Sequence, residues 1–261
     1  MQDLSPASVA RARLAGDACV LCGGTRRTYL FVVGPSRMTR CDECQLITRS
    51  DESGRPGIEA ESYALDDDSE RAVRSMLAPA GSRRRVLCVV DGGGPNARLR
   101  DDPRLEVTVV TSQEALGALP AAAFDAAFVN GAVEHVDPLA LLRRVRASLR
   151  PGGDLVVVVG DDSAIRGEPL PRHALAAVPL TRVTLTAGFR PRACGILSRS
   201  MDTAVLDPRL AGERVPLQRA AHLAESLGKR VEVPCGLLAM HARAETPPAR
   251  PKLSIIMPVF N

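Results

Sequence analysis

Cys19-Val-Leu-Cys22 and Cys41-Asp-Glu-Cys44 are two C-x-x-C knuckles separated by eighteen residues, and few folds tolerate such a pair without closing it on one centre. Two residues between thiolates let both sulfurs turn toward a single point, and a second such turn completes the tetrahedron that Zn²⁺ prefers. The spacing is that of a zinc ribbon. Gly23 and Gly24 supply tight backbone after the first knuckle, and the runs "TYLFVV" and "QLIT" are short β-like segments suited to carry the two turns. Two disulfides are the alternative, disfavoured in a reducing compartment, and a redox C-x-x-C would not need a duplicate. With all four coordination places filled, zinc is expected to be structural. Cys88, Cys194 and Cys235 sit in apolar contexts and are expected to be small buried side chains.

A chain of 261 residues that is 45% hydrophobic can bury a full core, enough for one α/β domain with a small accessory module. The net charge of +4 comes from Arg, since Lys occurs only at Lys229 and Lys252, and aromatics are 3% of residues. A nucleic-acid groove combines clustered cations with stacking rings, so the Arg excess reads as solvated surface and no nucleic-acid partner is expected. The start "MQDLSPASVARARLAG" has no apolar h-region, and no stretch approaches the roughly 20 apolar residues of a membrane span. The expectation is a soluble, cytoplasmic protein.

Residues 1–50 form the ribbon in this reading. A polar stretch, "TRSDESGRPGIEAESYALDDDSERA", then leads to a helix, so 51–84 are linker and lead-in. From residue 85 strand and helix patterns alternate: "VLCVV" (86–90), "LEVTVV" (105–110), "FDAAFVN" (124–130) and "DLVVVVG" (154–160) read as strands. Alternation of this kind predicts a parallel sheet with helices on its faces. The clearest helix is 138–149, capped by Asp137, begun by Pro138, with Leu139, Leu142, Val145 and Leu149 on one face and Arg143, Arg144 and Arg146 elsewhere. "RPGG" then turns the chain into the next strand.

The uninterrupted block "FDAAFVNGAVEHVDPLALLRRVRASLRPGGDLVVVV" resembles the centre of class I S-adenosylmethionine (SAM)-dependent methyltransferases: strand, "EHV-DP" turn, helix, "L-R-P-G-G-L" ending. The knuckles, the linker tyrosine Tyr63 and "VLCVVDGGG" follow the order of methyltransferases that carry an N-terminal zinc-binding module. Some of these methylate carbon atoms of nucleotide-bound deoxysugars. "HALAAVPLTRVTLTAGFRPRACGIL" resembles the family's late helix, "A-G-F" turn and strand, and "GLLAMHARA" its closing strand. The resemblance, over roughly residues 18–244, implies an α/β fold, a Rossmann-like methyltransferase sheet with a small N-terminal zinc ribbon, and a methyltransferase domain over 85–244.

The same resemblance assigns cofactor contacts. The family's first motif, usually like L-D-V-G-C-G-T-G, aligns Cys88 with its acidic position, Val90 with its first glycine, and Gly92 and Gly94 with the other two. β-Branched Val90 narrows the turn, for which Asp91 and Gly93 compensate if the turn shifts by one residue. The acid that usually ends the second strand is replaced by Thr111 and Ser112, with Glu114 displaced into the next helix. A neutral hydroxyl is expected to hold ribose more weakly. The crossover from Asp91 to Arg104 leaves room for a helix of at most two turns, and the family's extra strand before "FDAA" is not evident. The candidate SAM-binding residues are therefore Asp91, Gly92, Gly94, Thr111, Asn130 and Gly131. His135 is the candidate general base, with a packing role as its alternative. His173 lies in a Pro-rich stretch placed to cover the acceptor.

The run "ETPPARPKLSIIMPVFN" (245–261) is a Pro-rich linker followed by an apolar strand that resembles the opening strand of family 2 glycosyltransferases. It implies a covalently linked glycosyltransferase domain in a longer protein. The functional expectation is a SAM-dependent methyltransferase-like domain acting on a small-molecule or sugar/glycan precursor. The alternative is a catalytically degenerate fold serving as a binding or scaffold module for that glycosyltransferase.

Overall fold

The computed structural model describes residues 13–15, 18–33, 36–51, 63–79, 83–90, 97–160, 172–201 and 231–245. Its N-terminal part is an antiparallel sheet of β1 (Arg13–Ala15), β2 (Arg26–Val33), β3 (Ser36–Cys41) and β4 (Ile47–Asp51), in that spatial order. The knuckles precede β2 and link β3 to β4. After them come α1 (Asp67–Leu77), β5 (Arg84–Val90), α2 (Ala97–Arg100), β6 (Leu105–Val110), α3 (Gln113–Gly117), β7 (Phe124–Asn130), a 3-10 turn (Ala132–Glu134), α4 (Pro138–Ser148) and β8 (Leu149–Gly160). The last elements are β9 (His173–Ala174), α5 (Ala177–Thr186), β10 (Phe189–Met201) and β11 (Val231–Ala244).

The larger sheet has the order β10-β11-β8-β7-β5-β6, with β6, β5, β7 and β8 parallel and β11 antiparallel to both its neighbours. Its central strands are apolar on both faces because both faces are covered. Val86, Cys88, Ala126, Phe128, Val156 and Val158 meet Val73 and Leu77 of α1 and Leu99 of α2. The alternating set, Leu87, Val89, Ala127, Val129, Leu155 and Val157, belongs to one core with Leu141, Leu142 and Val145 of α4 and Leu180 and Val183 of α5. Each Val, Leu or Phe side chain among them contributes roughly 1.5–3 kcal/mol on burial.

That second core continues into the ribbon, through Cys19, Leu21, Cys41, Cys44 and Leu46. The attachment is also by backbone. β9 pairs with β4 (Ile47 opposite Ala174, Thr48 opposite His173), Arg49 N donates to the Arg172 carbonyl at 2.8 Å, and Arg182 of α5 donates to the Glu43 carbonyl at 2.9 Å. The ribbon sheet therefore borrows its fifth strand from a segment that follows β8.

Local signals place several elements as the sequence predicts. Asp66 caps α1 by accepting from Ser69 N at 2.8 Å, and Asp137 caps α4 by accepting from Leu139 N and Ala140 N. α2 is a single short turn, and β7 follows α3 with no strand between them among the described residues.

Other expectations need correction. α4 ends at Ser148, just before "RPGG" as expected, but residues 150–153 form no separate turn; they lie within β8 as a register shift opposite β7. A Cβ on Gly153 would sit 3.0 Å from the carbonyl oxygens of Arg150 and Asp125, so the shift favours glycine there: a side chain would need the backbone to give by a few tenths of an ångström. Helix α4 buries Leu141 as well as Leu142 and Val145, while Leu139 is only partly covered. Cys88 is buried, but Cys194 is exposed on the outer strand β10, and Cys235 is half-buried, donating to Asp66 at 3.3 Å. His173 is 1% exposed, because strand pairing with the ribbon holds it inside.

Three arginines close ion pairs near strand ends: Arg84 with Asp154 at 2.6 Å, Arg104 with Asp102 at 2.7 Å and Arg150 with Asp125 at 2.5 Å. β11 ends against the "A-G-F" turn, where Glu245 N donates to the Gly188 carbonyl at 3.1 Å and Arg146 donates to the carbonyls of Gly188 and Glu245. No helix among the described residues is long and apolar enough to cross a membrane. The run 253–261 lies outside the described residues.

Candidate functional site

The four knuckle cysteines converge. All four Sγ atoms lie within 4.8 Å of one another, with Cys19–Cys44 and Cys22–Cys41 both at 3.5 Å. Tetrahedral Zn–S bonds of about 2.3 Å place sulfurs roughly 3.8 Å apart, so the donor set and its spacing fit zinc. Both knuckles use the same backbone turn: Gly23 N donates to the Cys19 carbonyl at 2.8 Å and Gln45 N to the Cys41 carbonyl at 3.0 Å. The residue after each second cysteine takes positive φ, +73° at Gly23 and +65° at Gln45. Gln45 offsets part of that strain by donating its side-chain amide to the Asp42 carbonyl. Burial pushes the Cys44 thiol up. At Cys41 burial acts in the same direction but is outweighed by the amides of Cys44 and Glu43, which hold that thiol below its ordinary value.

A second group of residues assembles at the C-terminal ends of β5, β7 and β8, the edge at which ligands bind in parallel α/β sheets. Val90 and Asn130 end neighbouring strands and lie opposite each other. Asn130 is buried; its Nδ2 donates to the Tyr63 carbonyl at 2.8 Å, and its Oδ1 has no partner among the described residues. Gly131 follows with φ +73°, a conformation that L side chains rarely adopt, and its N–H returns to the Val158 carbonyl at 3.0 Å. This reversal sends the chain into the 3-10 turn.

Glu134, in that turn, is 1% exposed. Its Oε2 accepts from Gly160 N at 3.1 Å, and its carboxyl also hydrogen-bonds the Tyr63 phenol. Burial raises it to about 7 despite these two bonds, which favour the charged form. The Tyr63 phenol is raised too, by burial first and then by the Glu134 charge and hydrogen bond. Glu134 and Tyr63 were not singled out as site residues by sequence reasoning. The available signal was a carboxylate, inside "GAVEHV", in an otherwise apolar run directly after a buried strand.

His135 ends the 3-10 turn, partly exposed, its N–H donating to the Ala132 carbonyl at 3.3 Å. His173 approaches from β9. Burial and then the Arg172 charge lower its pKa to about 4, with His135 acting in the same direction and Asp137 opposing. The imidazole is therefore neutral near pH 7, and its Nδ1 has no partner among the described residues. The structure thus groups Asn130, Gly131, Glu134, His135 and Tyr63, and adds His173 from the ribbon side. Thr111 is exposed at the end of β6; Ser112 is committed to capping α3, accepting from Ala115 N at 3.1 Å; Glu114 is exposed on α3. Asp91, Gly92 and Gly94 lie outside the described residues.

Strand order, helices on both faces and the antiparallel β11 make a mixed α/β fold around a largely parallel sheet, consistent with a Rossmann-like methyltransferase fold, with a four-cysteine cluster attached that could hold zinc. Residues 87–157 match the family described as "Methyltransferase domain". Similar solved structures include a candidate methyltransferase from Bacillus halodurans, 14% identical over 70% of this chain and 100% of that protein, with a TM-score of 0.46. A SAM-dependent methyltransferase from Mesorhizobium loti is 17% identical over 66% and 96%, TM-score 0.40. One from Archaeoglobus fulgidus is 18% identical over 67% and 90%, TM-score 0.41. No curated protein matches the chain.

Proposed function

We propose that the chain is a SAM-dependent methyltransferase acting on a small-molecule acceptor of the sugar or glycan-precursor class, with Cys19, Cys22, Cys41 and Cys44 holding a structural zinc ion. The observation that carries this reading is the Asn130 side chain, whose buried Oδ1 lacks a donor at the strand edge where such folds bind ligands. An unpaired buried acceptor costs about 1–3 kcal/mol, which a ligand N–H or O–H recovers. Asp91, Gly92, Gly94, Thr111, Asn130 and Gly131 are the residues assigned to hold the cofactor, the glycines by letting the ligand approach the backbone. SAM, when bound, supplies an electrophilic methyl group. His135 is assigned the removal of a proton from the acceptor at a ring nitrogen. His173, neutral near pH 7, adds no positive charge beside it.

One observation favours a second reading. The end of β6 offers no carboxylate: Thr111 stands there, and the Ser112 oxygen is already used as a cap. A cleft without a ribose acid suits a binding or scaffold module beside a family 2 glycosyltransferase, to which residues 253–261 are assigned as the opening strand. Calorimetric titration of metal-replete protein with SAM and with S-adenosylhomocysteine (SAH) separates the two. Micromolar binding of both supports the methyltransferase; a folded chain that binds neither leaves the scaffold.

A further inference from the structure

Three segments distant in sequence meet on Glu134. Tyr63 arrives from the chain entering α1, Gly160 is the last residue of β8, and Glu134 itself follows β7. Tyr63 is held at both ends, its carbonyl by Asn130 Nδ2 and its phenol by Glu134. No cation faces Glu134 among the described residues; Tyr63 from the α1 lead-in, the Gly160 amide from β8, and His135 next on its own turn are the groups around it. A buried carboxyl without a cation is costly, and a glutamine would be cheaper. A carboxylate, however, has two acceptor oxygens for two donors, and glutamine has one.

The consequence reaches Asn130. Because its Nδ2 is committed to the Tyr63 carbonyl, its Oδ1 is the atom left to accept from a ligand. Release of Tyr63 would free the amide to turn. We propose that Glu134 and Tyr63 are positioning residues of the cofactor cleft: together they latch the chain entering α1 across the ends of β7 and β8 and so fix the Asn130 amide for ligand recognition. This rests on the cofactor reading above. The latch is strongest when Glu134 is ionised, since the phenol then donates to a charged acceptor.

The test uses the full chain, SAH as ligand and two conservative variants, Tyr63→Phe and Glu134→Gln. Each is expected to weaken SAH binding on the order of tenfold at pH 8, the loss of one charge-assisted hydrogen bond. Unaltered protein should bind SAH more tightly at pH 8 than at pH 6, and both variants should bind it equally at the two values. The chain has no Trp and two Tyr, so in a Tyr29→Phe background Tyr63 alone reports. Its emission should be more strongly quenched at pH 8 than at pH 6, and Glu134→Gln should abolish that difference. Variants that melt lower but keep the parent's SAH affinity and pH profile overturn the proposal, because the contact is then only structural. Absence of SAH binding by the unaltered chain sinks the cofactor reading and the positioning role with it. The tyrosine titration separately shows whether Glu134 holds Tyr63.

Discussion

Replacing Glu134 by Gln should make the protein more stable above pH 7 and leave it unchanged near pH 4. The carboxyl moves from an ordinary 4.5 to about 7 on folding, mainly through burial. Between those values the folded state holds a proton that the unfolded state has released, so stability falls as pH rises. The contribution is full below pH 4.5 and is lost once pH passes 7. A shift of that size, at about 1.4 kcal/mol per unit, is worth about 3 kcal/mol. Gln has the neutral side chain at every pH and escapes the loss, although it satisfies the two donors less fully. In thermal melts at pH 5, 6, 7 and 8 the variant should gain on the parent progressively, reaching roughly 5–10 °C at pH 8 for a chain of this size. A variant less stable than the parent at pH 8 would refute the reasoning, since the ionised form would then be the one the fold favours.

The ribbon should carry close to one zinc per chain by elemental analysis, and Cys41→Ser should lower the melting temperature of the larger sheet as well as loosen the ribbon, because Cys41, Leu46, Leu180 and Val183 share one core. A metal-free, fully stable preparation would contradict this. Thr111→Asp should tighten SAM binding about tenfold by supplying a charged acceptor at the end of β6, checked by calorimetry. Deletion from Thr246 onward should leave the melting temperature unchanged, since β11 ends at Ala244 and its last anchors are Gly188 and Arg146 against Glu245; a loss of several degrees would show that the tail belongs to this fold.

Much of the larger domain was legible because its signals are local. Asp137 and Pro138 start α4, short apolar runs mark β5 and β7, and the "EHV" block fixes which turn follows which strand. The knuckles were equally plain, since C-x-x-C spacing determines which sulfurs can meet. What the sequence hid depends on long-range pairing. Nothing in "RHAL" indicates that His173 and Ala174 will complete the ribbon sheet, because two residues carry no periodicity. Tyr63 and Glu134 are separated by three strands and three α-helices among the described residues, so only the fold shows that one holds the other. Cys194 looked like a core residue because its neighbours are apolar, yet β10 is the sheet's outer strand and leaves it exposed.

The central claim is that a nucleoside-sulfonium ligand sits at the ends of β5, β7 and β8, and amide hydrogen exchange with and without SAH tests it most directly. The account predicts slowed exchange at Val90, across 130–135 and at Gly160, with little change in the ribbon strands β2 and β3. Protection confined to the ribbon or the sheet's opposite end, or none at saturating SAH, would contradict it.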